Sequence, residues 1–205
     1  MFENIPFPSL FVCFLIFIAW MHYEKHKAGK KEARTAEEFW RREEEANCAR
    51  NKDISELPLL QISKDQIPMP DSNDENTCYY QKKVLDSLDL PMMDLSEYTN
   101  TDLKLAYGVG NFKTLSDYDE NFNSFLMNLS NLGNAYFQTG LLAEAASVFR
   151  LCLDSGSQSA RNYKALADVY AAMGQSYKIS ELIKEVESSG LPHSSTLVEH
   201  LRQLL

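Results

Sequence analysis

The chain has 205 residues, a length that accommodates one core of about 100–150 residues with attached segments. Its formal net charge of −9 is unevenly distributed: residues 22–50 carry eight basic and seven acidic side chains, whereas residues 51–205 carry twelve and twenty-one. An acidic domain of this kind excludes nucleic acid as the expected partner, because phosphate binding requires a positive surface.

The chain starts with an apolar segment. Residues 5–23 contain no charged side chain, which falls within the roughly 17–25 residues that a helix needs to cross a bilayer. Trp20 and Tyr23 lie at its end, where aromatic rings favour the headgroup region. A buried core helix is disfavoured because no face is polar. A cleaved signal peptide is disfavoured because no basic residue precedes the run and no A-x-A-like site follows it. The pattern predicts a transmembrane anchor over residues 1–23.

The flanking charges predict how this anchor is oriented. Residues 1–6 contain no Lys or Arg, whereas residues 25–34 contain five. Because basic flanks stay in the cytoplasm, we expect a single-pass protein of the cell membrane with its N-terminus outside and its C-terminal domain cytoplasmic. The basic residues either contact anionic lipid or only stop translocation. The four cysteines form no C-x-x-C motif and are predicted to be free thiols.

Residues 24–50 predict a charged helical stalk that continues from the anchor. They are rich in Glu, Lys, Arg and Ala and lack proline. Glu37 with Arg41 and Glu38 with Arg42 have the spacing of stabilising ion pairs on a helix. Phe39-Trp40 is the only pair of large apolar side chains in the stalk. Residues 51–77 predict a linker, because they hold three prolines and then an acidic, polar run.

Residues 78–205 predict a helical domain, so the expected fold is all-α throughout. Apolar residues at helical spacing predict helices over 78–90, from Asn100 or Thr101 to Gly108, and over 112–138. Further helices are predicted over 141–153, 159–173, 176–188 and 194–205. In the last one, Leu197, Val198, Leu201 and Leu205 are expected to face inward. The domain is therefore predicted to be a stack of helical hairpins with flanking capping helices.

Eight pairs of residues in this domain recur at a spacing of 34. A period of this length, carried by large, small and turn residues, indicates stacked helix–turn–helix units. The pairs are Leu129 with Tyr163, Leu132 with Leu166, Gly133 with Ala167, Tyr136 with Tyr170, Gly140 with Gly174, Ala145 with Ile179, Phe149 with Ile183 and Cys152 with Val186.

The offsets resemble the tetratricopeptide repeat. With Leu126 as the first position, one unit covers about 126–159 and matches the signature up to Cys152, but it has Ser157 where a proline is usual. A second unit covers about 160–193. The second unit departs from the pattern at Ile179, where the family has a small residue, and Pro192 falls one place late. Since about three units are normally needed, the flanking helices, including 194–205, are expected to cap the stack.

The whole layout also resembles a family of small membrane-anchored proteins with tetratricopeptide-like repeats from low-GC Gram-positive bacteria. The matching stretches lie at 39–47, 52–55, 101–108 and 118–122. This resemblance implies an architecture and no chemistry.

Two clusters contain side chains that can carry out chemistry. His22, Glu24 and His26 could share a metal on one helix face, but the order is not that of a metalloprotease motif and the alternative is an interfacial helix end. Asp117, Asp119 and Glu120 could hold a cation or perform acid–base chemistry, and the alternative is a response to the helix dipole. Phosphate-binding and nucleophile-elbow motifs are absent from the sequence, and no cofactor or metal is predicted.

The first helix of each repeat is expected to line a groove that binds a protein or peptide. By position, Met127, Ala171 and Ala172 also fall on this face, and the predicted groove residues are Ser130, Asn134, Phe137, Gln138, Arg161, Lys164 and Asp168. The alternative is a groove that is only solvated. The leading hypothesis is a non-enzymatic module that recruits an unidentified protein or peptide to the inner membrane face. The alternatives are a structural or self-associating subunit of a membrane complex and, third, a metal-dependent enzyme. The sequence does not indicate the oligomeric state.

Overall fold

The computed structural model describes residues 7–191 and 194–205, with the side chains at 7–11 and 26–34 outside the description. Within these residues all regular elements are helical, as predicted. They are α1 Phe7–Asn47, a short 3-10 turn Lys64–Gln66, α2 Glu75–Leu88, α3 Asn100–Tyr107, α4 Val109–Gln138, α5 Leu142–Asp154, α6 Ala160–Ala172, α7 Ser176–Ser188 and α8 Ser194–Arg202. The chain divides into two compact units: one comprises the described residues up to Asp53 with 99–112, and the other comprises 54–98 and the described residues from Lys113 onward.

The first helix, α1, runs without interruption from the apolar segment into the stalk, as predicted. Its large apolar side chains from Val12 to Tyr23 are mostly exposed. Among the residues whose side chains are described, no helix is both long and apolar enough to cross a membrane. Residues 1–11 of the predicted anchor lie outside that description.

In the first unit, α3 packs against the C-terminal part of α1 through charged and small residues. Arg42 donates to Asp102 at 2.5 Å, and Lys104 donates to Glu43 and to Asn47, both at 3.1 Å. The predicted pairs within α1 were therefore wrong for both arginines: Arg42 reaches α3, and Arg41 contacts Glu45 at 3.4 Å rather than Glu37.

The chain that follows α1 returns to the end of α3. The Lys52 N–H donates to the Tyr107 carbonyl at 3.0 Å, and Asn111 donates to the Lys52 carbonyl at 2.7 Å. Asn51 accepts from the Gly110 N–H at 2.8 Å. Of the four stretches that carry the layout resemblance, 39–47 and 101–108 lie wholly in this small unit, and 52–55 begins in it.

This unit is expected to lose stability in acid. The Thr101 hydroxyl and then Lys104 donate to Glu43 and lower the pKa of its carboxyl below 4.5, and hydrogen bonds from Thr99 lower the pKa of Asp102 below 3.8. A carboxyl whose pKa is lower in the folded state stabilises the unit at pH values above its pKa in the unfolded state. That stabilisation is lost as the pH falls through its pKa in the folded state. Amide protection factors in α3 should therefore fall as the pH drops below about 4. Thr101→Val should reduce this pH dependence; an identical pH profile in that variant would contradict the role of Glu43.

In the second unit, part of the predicted linker is integrated into the core. Ile67 is buried, the Tyr136 hydroxyl donates to the Pro68 carbonyl at 2.7 Å, and Gln81 donates to the Pro70 carbonyl at 2.8 Å. The α2 helix begins at Glu75 rather than 78 because Asp74 caps it, accepting from the Thr77 N–H at 2.7 Å.

The 34-residue period is also a period of burial. At the seven pairs other than Gly140 with Gly174, both residues are buried, and those two glycines both adopt positive φ angles of 80° and 67° at the ends of α4 and α6. The helices α5 and α6 contact each other, as do α6 and α7, and α8 packs on α6 and α7. The hairpins thus repeat in environment as well as in sequence.

The end of the chain follows the prediction only in part. Leu197, Val198 and Leu201 of α8 are buried as expected, whereas Leu205 is 58% exposed, so its inward placement was wrong. The reason is that α8 ends at Arg202, which breaks the helical spacing before Leu205. Pro192 and His193, at the end of the second predicted repeat, lie outside the described residues.

Candidate functional site

A cleft of about 420 Å³ lies in the second unit, where the middle of α4 meets the loop before α6 and the first turn of α6. Its lining combines apolar and polar side chains from both helices. The lining residues are Asp94, Ser96, Phe122, Asn123, Leu126, Met127, Ser130, Asn131, Gly156, Ser157, Gln158, Ser159, Arg161 and Asn162.

The floor of the cleft is fixed by Asn162, which is 4% exposed. Its side-chain oxygen accepts from the Ser130 hydroxyl at 2.6 Å, and its amide nitrogen donates to Ser157 Oγ at 2.8 Å and to Cys152 Sγ at 3.2 Å. Burial raises the pKa of the Cys152 thiol to about 11, which leaves the thiol protonated and able to donate to the Leu126 carbonyl at 3.5 Å. This network joins α4, α5 and α6 at one point.

One end of the cleft favours negative charge. It contains the N-terminus of α6, whose first N–H groups have no acceptor within the helix, and Ser159 at the capping position makes no side-chain capping bond. The side chain of Arg161 in the first turn is exposed and makes no hydrogen bond or ion pair with the described residues. The positive end of the helix dipole and an unpaired guanidinium therefore lie together.

The α4 wall of the cleft is apolar at its centre and polar around it. Met127 is 59% exposed there, and Asn131 has no hydrogen-bond partner among the residues described. A second, shallower depression of about 370 Å³ shares Asn123 and Met127 with the cleft and continues along α4 past Glu120 to Ser116. We call the cleft and this depression together the α4 furrow.

The structure brings only two of the seven predicted groove residues into the furrow, Ser130 and Arg161. Asn134 lies one turn beyond, where its amide donates to the Ser130 carbonyl at 2.7 Å. Phe137 packs against the core, and Gln138 is exposed at the end of α4. Lys164 and Asp168 are half-buried further along α6. These five residues do not line the furrow.

Several lining residues were not predicted, Asn162 above all. Its signal in the sequence is a polar side chain directly before Tyr163, on the buried side of an otherwise apolar pattern. Other lining residues come from connecting segments, and helical periodicity does not predict where such segments lie. They are Gln158, Ser159 and Asp94.

Two of the three carboxylates in the acidic cluster are engaged by other groups of the protein. Asp117 accepts from Lys113 at 2.8 Å, and Asp119 accepts from the Leu95 N–H at 3.1 Å and from Asn123 at 3.0 Å. No group of three His, Cys, Asp or Glu residues in the described part of the chain could hold a metal. The side chain of His26 lies outside the described residues.

Removing the Asn162 side chain should destabilise the second unit. Asn162→Ala leaves the Ser130 and Ser157 hydroxyls without their buried partner, which costs about 1–3 kcal/mol in the free energy of unfolding. Denaturant titration measures this loss. The matched control is Asn131→Ala, which removes the same group from the same cleft without a described partner and should change stability by less than about 0.5 kcal/mol. Equal effects would contradict the structural role of Asn162.

Comparison with protein-family models, with curated proteins and with solved structures finds no match to this chain.

Proposed function

We propose that the protein is a membrane-tethered interaction module whose tetratricopeptide-like hairpins bind a partner peptide in the α4 furrow and so recruit the partner to the inner membrane face. The observation that carries this proposal is the convergence, in one cleft, of polar groups that the protein does not use itself. Arg161, Asn131 and Gln158 have no polar partner among the described residues, whereas Asn162 beneath them is fully bonded.

This arrangement suits a peptide. A preformed floor removes part of the ordering cost of binding, and amide side chains can bond to peptide backbone groups. Met127 supplies a flexible apolar contact at the centre, a property of surfaces that accept varied side chains. The 34-residue recurrence of burial and of turn glycines supports the hairpin-repeat assignment.

The tether rests on the amino-acid sequence and on the exposure of its side chains. Phe14, Ile16, Phe17 and Trp20 are each more than half exposed, and the ring contact recorded for them, Phe17 with Trp20 at 6.1 Å between centroids, lies within α1 itself. A helix with so much uncovered apolar surface requires lipid or another protein. Tethering raises the local concentration of the module for partners at the membrane.

A structural subunit is the second candidate function, and one observation favours it. Phe39 and Trp40 are 54% and 68% exposed on α1, with ring centroids 5.3 Å apart. An adjacent pair of exposed aromatic rings is typical of an interface core. If this function is correct, the double variant Phe39→Ser and Trp40→Ser should dissociate an oligomer of the full chain, as measured by light scattering in detergent. Substitutions of Arg161 should leave the oligomer intact.

Site-specific photo-crosslinking tests the leading proposal. A photoreactive amino acid in place of Met127 should give one discrete adduct in membranes, and Arg161→Glu should reduce it. The same amino acid in place of Tyr177, which is 62% exposed and outside the furrow, should give no such adduct. Adducts of equal yield at both positions would defeat the assignment of the furrow.

A further inference from the structure

The α4 furrow carries an unpaired basic side chain at one end and an unpaired acidic side chain at the other. At one end lie the α6 N-terminus and Arg161. At the other lies Glu120, whose carboxylate accepts no hydrogen bond from the described residues and interacts with Lys113 through charge alone. The nearest cation before it on α4, Lys113, is held by Asp117 at 2.8 Å and 3.0 Å. Neither charged end is therefore neutralised by a hydrogen-bonded ion pair.

The distance between these ends can be read from the helix. Asn162, next to Arg161, is bonded to Ser130 at 2.6 Å, so the first turn of α6 lies at the level of Ser130. Glu120 lies ten residues before Ser130 on the same helix. With about 1.5 Å of rise per residue, the two ends are about 15 Å apart. An extended peptide covers that distance in about five residue steps of 3.3 Å.

We propose that the furrow selects a dipolar extended peptide segment, with a basic side chain about five residues from an acidic one and an apolar side chain between them. The acidic group pairs with Arg161 and the α6 N-terminus, and the basic group pairs with Glu120. The apolar side chain contacts Met127, at the point where the two depressions join. Asp94 also adds negative charge to the cleft: its carboxylate lies beside Gly156 in the loop before α6, 3.5 Å from where a Cβ at Gly156 would stand, and it accepts from the Ser96 N–H at 3.0 Å.

This inference rests on the proposed function and specifies the chemistry of its partner. Complementary charge on a rim determines which partner binds and how it is oriented more than it determines affinity. The inference therefore concerns the ranking of peptides by their charge pattern.

The test uses the full chain in detergent micelles and fluorescein-labelled, C-terminally amidated hexapeptides that carry a leucine between their terminal residues, measured by fluorescence anisotropy at low salt. The terminal residues of the hexapeptides are Lys and Glu, two Lys, two Glu, or two Gln. Wild type should prefer the Lys and Glu peptide by about fivefold or more, which is the upper range of an exposed ion pair. High salt should weaken that preference.

Two charge reversals should change the ranking in opposite directions. Arg161→Glu makes both ends acidic and should transfer the preference to the peptide with two Lys. Glu120→Lys replaces the unpaired carboxylate at that end with an ammonium group, while the neighbouring Asp119 stays engaged by the Leu95 N–H and by Asn123. It should transfer the preference to the peptide with two Glu. The matched control is Lys184→Glu, an exposed reversal on α7 outside the furrow, which should leave the ranking unchanged.

The outcomes separate the inference from the proposed function. If wild type binds the Gln peptide as tightly as the dipolar one, or if the reversals do not change the ranking, the charge assignment is wrong while a peptide-binding furrow stands. If none of the four peptides binds, the inference is overturned, and the crosslinking at Met127 then decides the proposed function separately.

Discussion

Phe149→Ala is expected to lower the free energy of unfolding by about 3–5 kcal/mol, the range for removing a buried phenylalanine ring. The side chain is completely buried in α5, and its ring faces Gly133 of α4: a Cβ added at Gly133 would lie 2.9 Å from two ring atoms. The ring thus fills the space that glycine leaves between the two helices. Such a loss approaches the whole stability of a typical domain, about 5–15 kcal/mol.

Denaturant titration with a matched double-mutant cycle checks this packing. Gly133→Ala alone should destabilise by about 1–3 kcal/mol, because a fully buried ring cannot move aside. In the presence of Phe149→Leu, the same Gly133→Ala change should cost less. Met127→Ala, at an exposed position on α4, should change stability by less than about 0.5 kcal/mol. Additive effects of the two core changes would contradict the proposed contact.

Gly108→Ala should disrupt the first unit while leaving the hairpins folded. Gly108 joins α3 to α4 with φ +90°, a conformation that strains side-chain-bearing residues by about 1–3 kcal/mol. An added Cβ would also lie 2.5 Å from Asn51 Cα and 2.6 Å from its nitrogen, which are backbone atoms that must move as a whole. We expect amide protection in α3 to be largely lost, whereas protection in α5 and α6 is retained.

Gly140→Ala separates the backbone strain at a positive φ from the steric clash with Asn51. Gly140 also has a positive φ of 80°, but an added Cβ there would meet no atom within 4 Å. This variant should show the backbone strain alone, and its loss of protection should be confined to the ends of α4 and α5. If Gly108→Ala is no more damaging than Gly140→Ala, the close approach of Asn51 does not matter.

Helices with strong local signals were predicted well from the sequence, and long-range pairings were not. The bounds of α5, α6 and α7 agree with prediction to within about two residues, because apolar spacing and the glycines at 140 and 174 are local features. The pairing of α1 with α3 joins residues about 60 positions apart, Arg42 with Asp102 and Glu43 with Lys104. The spacing of charges along α1 suggested Glu38 as the partner of Arg42. It contains no information about Asp102, which is distant in sequence and pairs with Arg42 instead.

The candidate site was likewise predicted only where local patterns specify it. Repeat geometry indicated the faces of α4 and α6, which gave Ser130 and Arg161, but it did not indicate how far along those faces a cleft extends. The loop over 155–159 and the segment around Asp94 set that extent, and neither has a periodic pattern. Asn162 was missed because a buried amide with a full set of partners looks, in sequence, like an ordinary polar residue.

The most direct test of the central claim, that the α4 furrow binds the partner, is crosslinking in membranes from two positions in the same chain. The account predicts a single adduct from a photoreactive residue at Met127, reduced by Arg161→Glu and unaffected by Lys184→Glu, with none from Tyr177. An adduct at Met127 that survives Arg161→Glu unchanged, or an equal adduct at Tyr177, would contradict it.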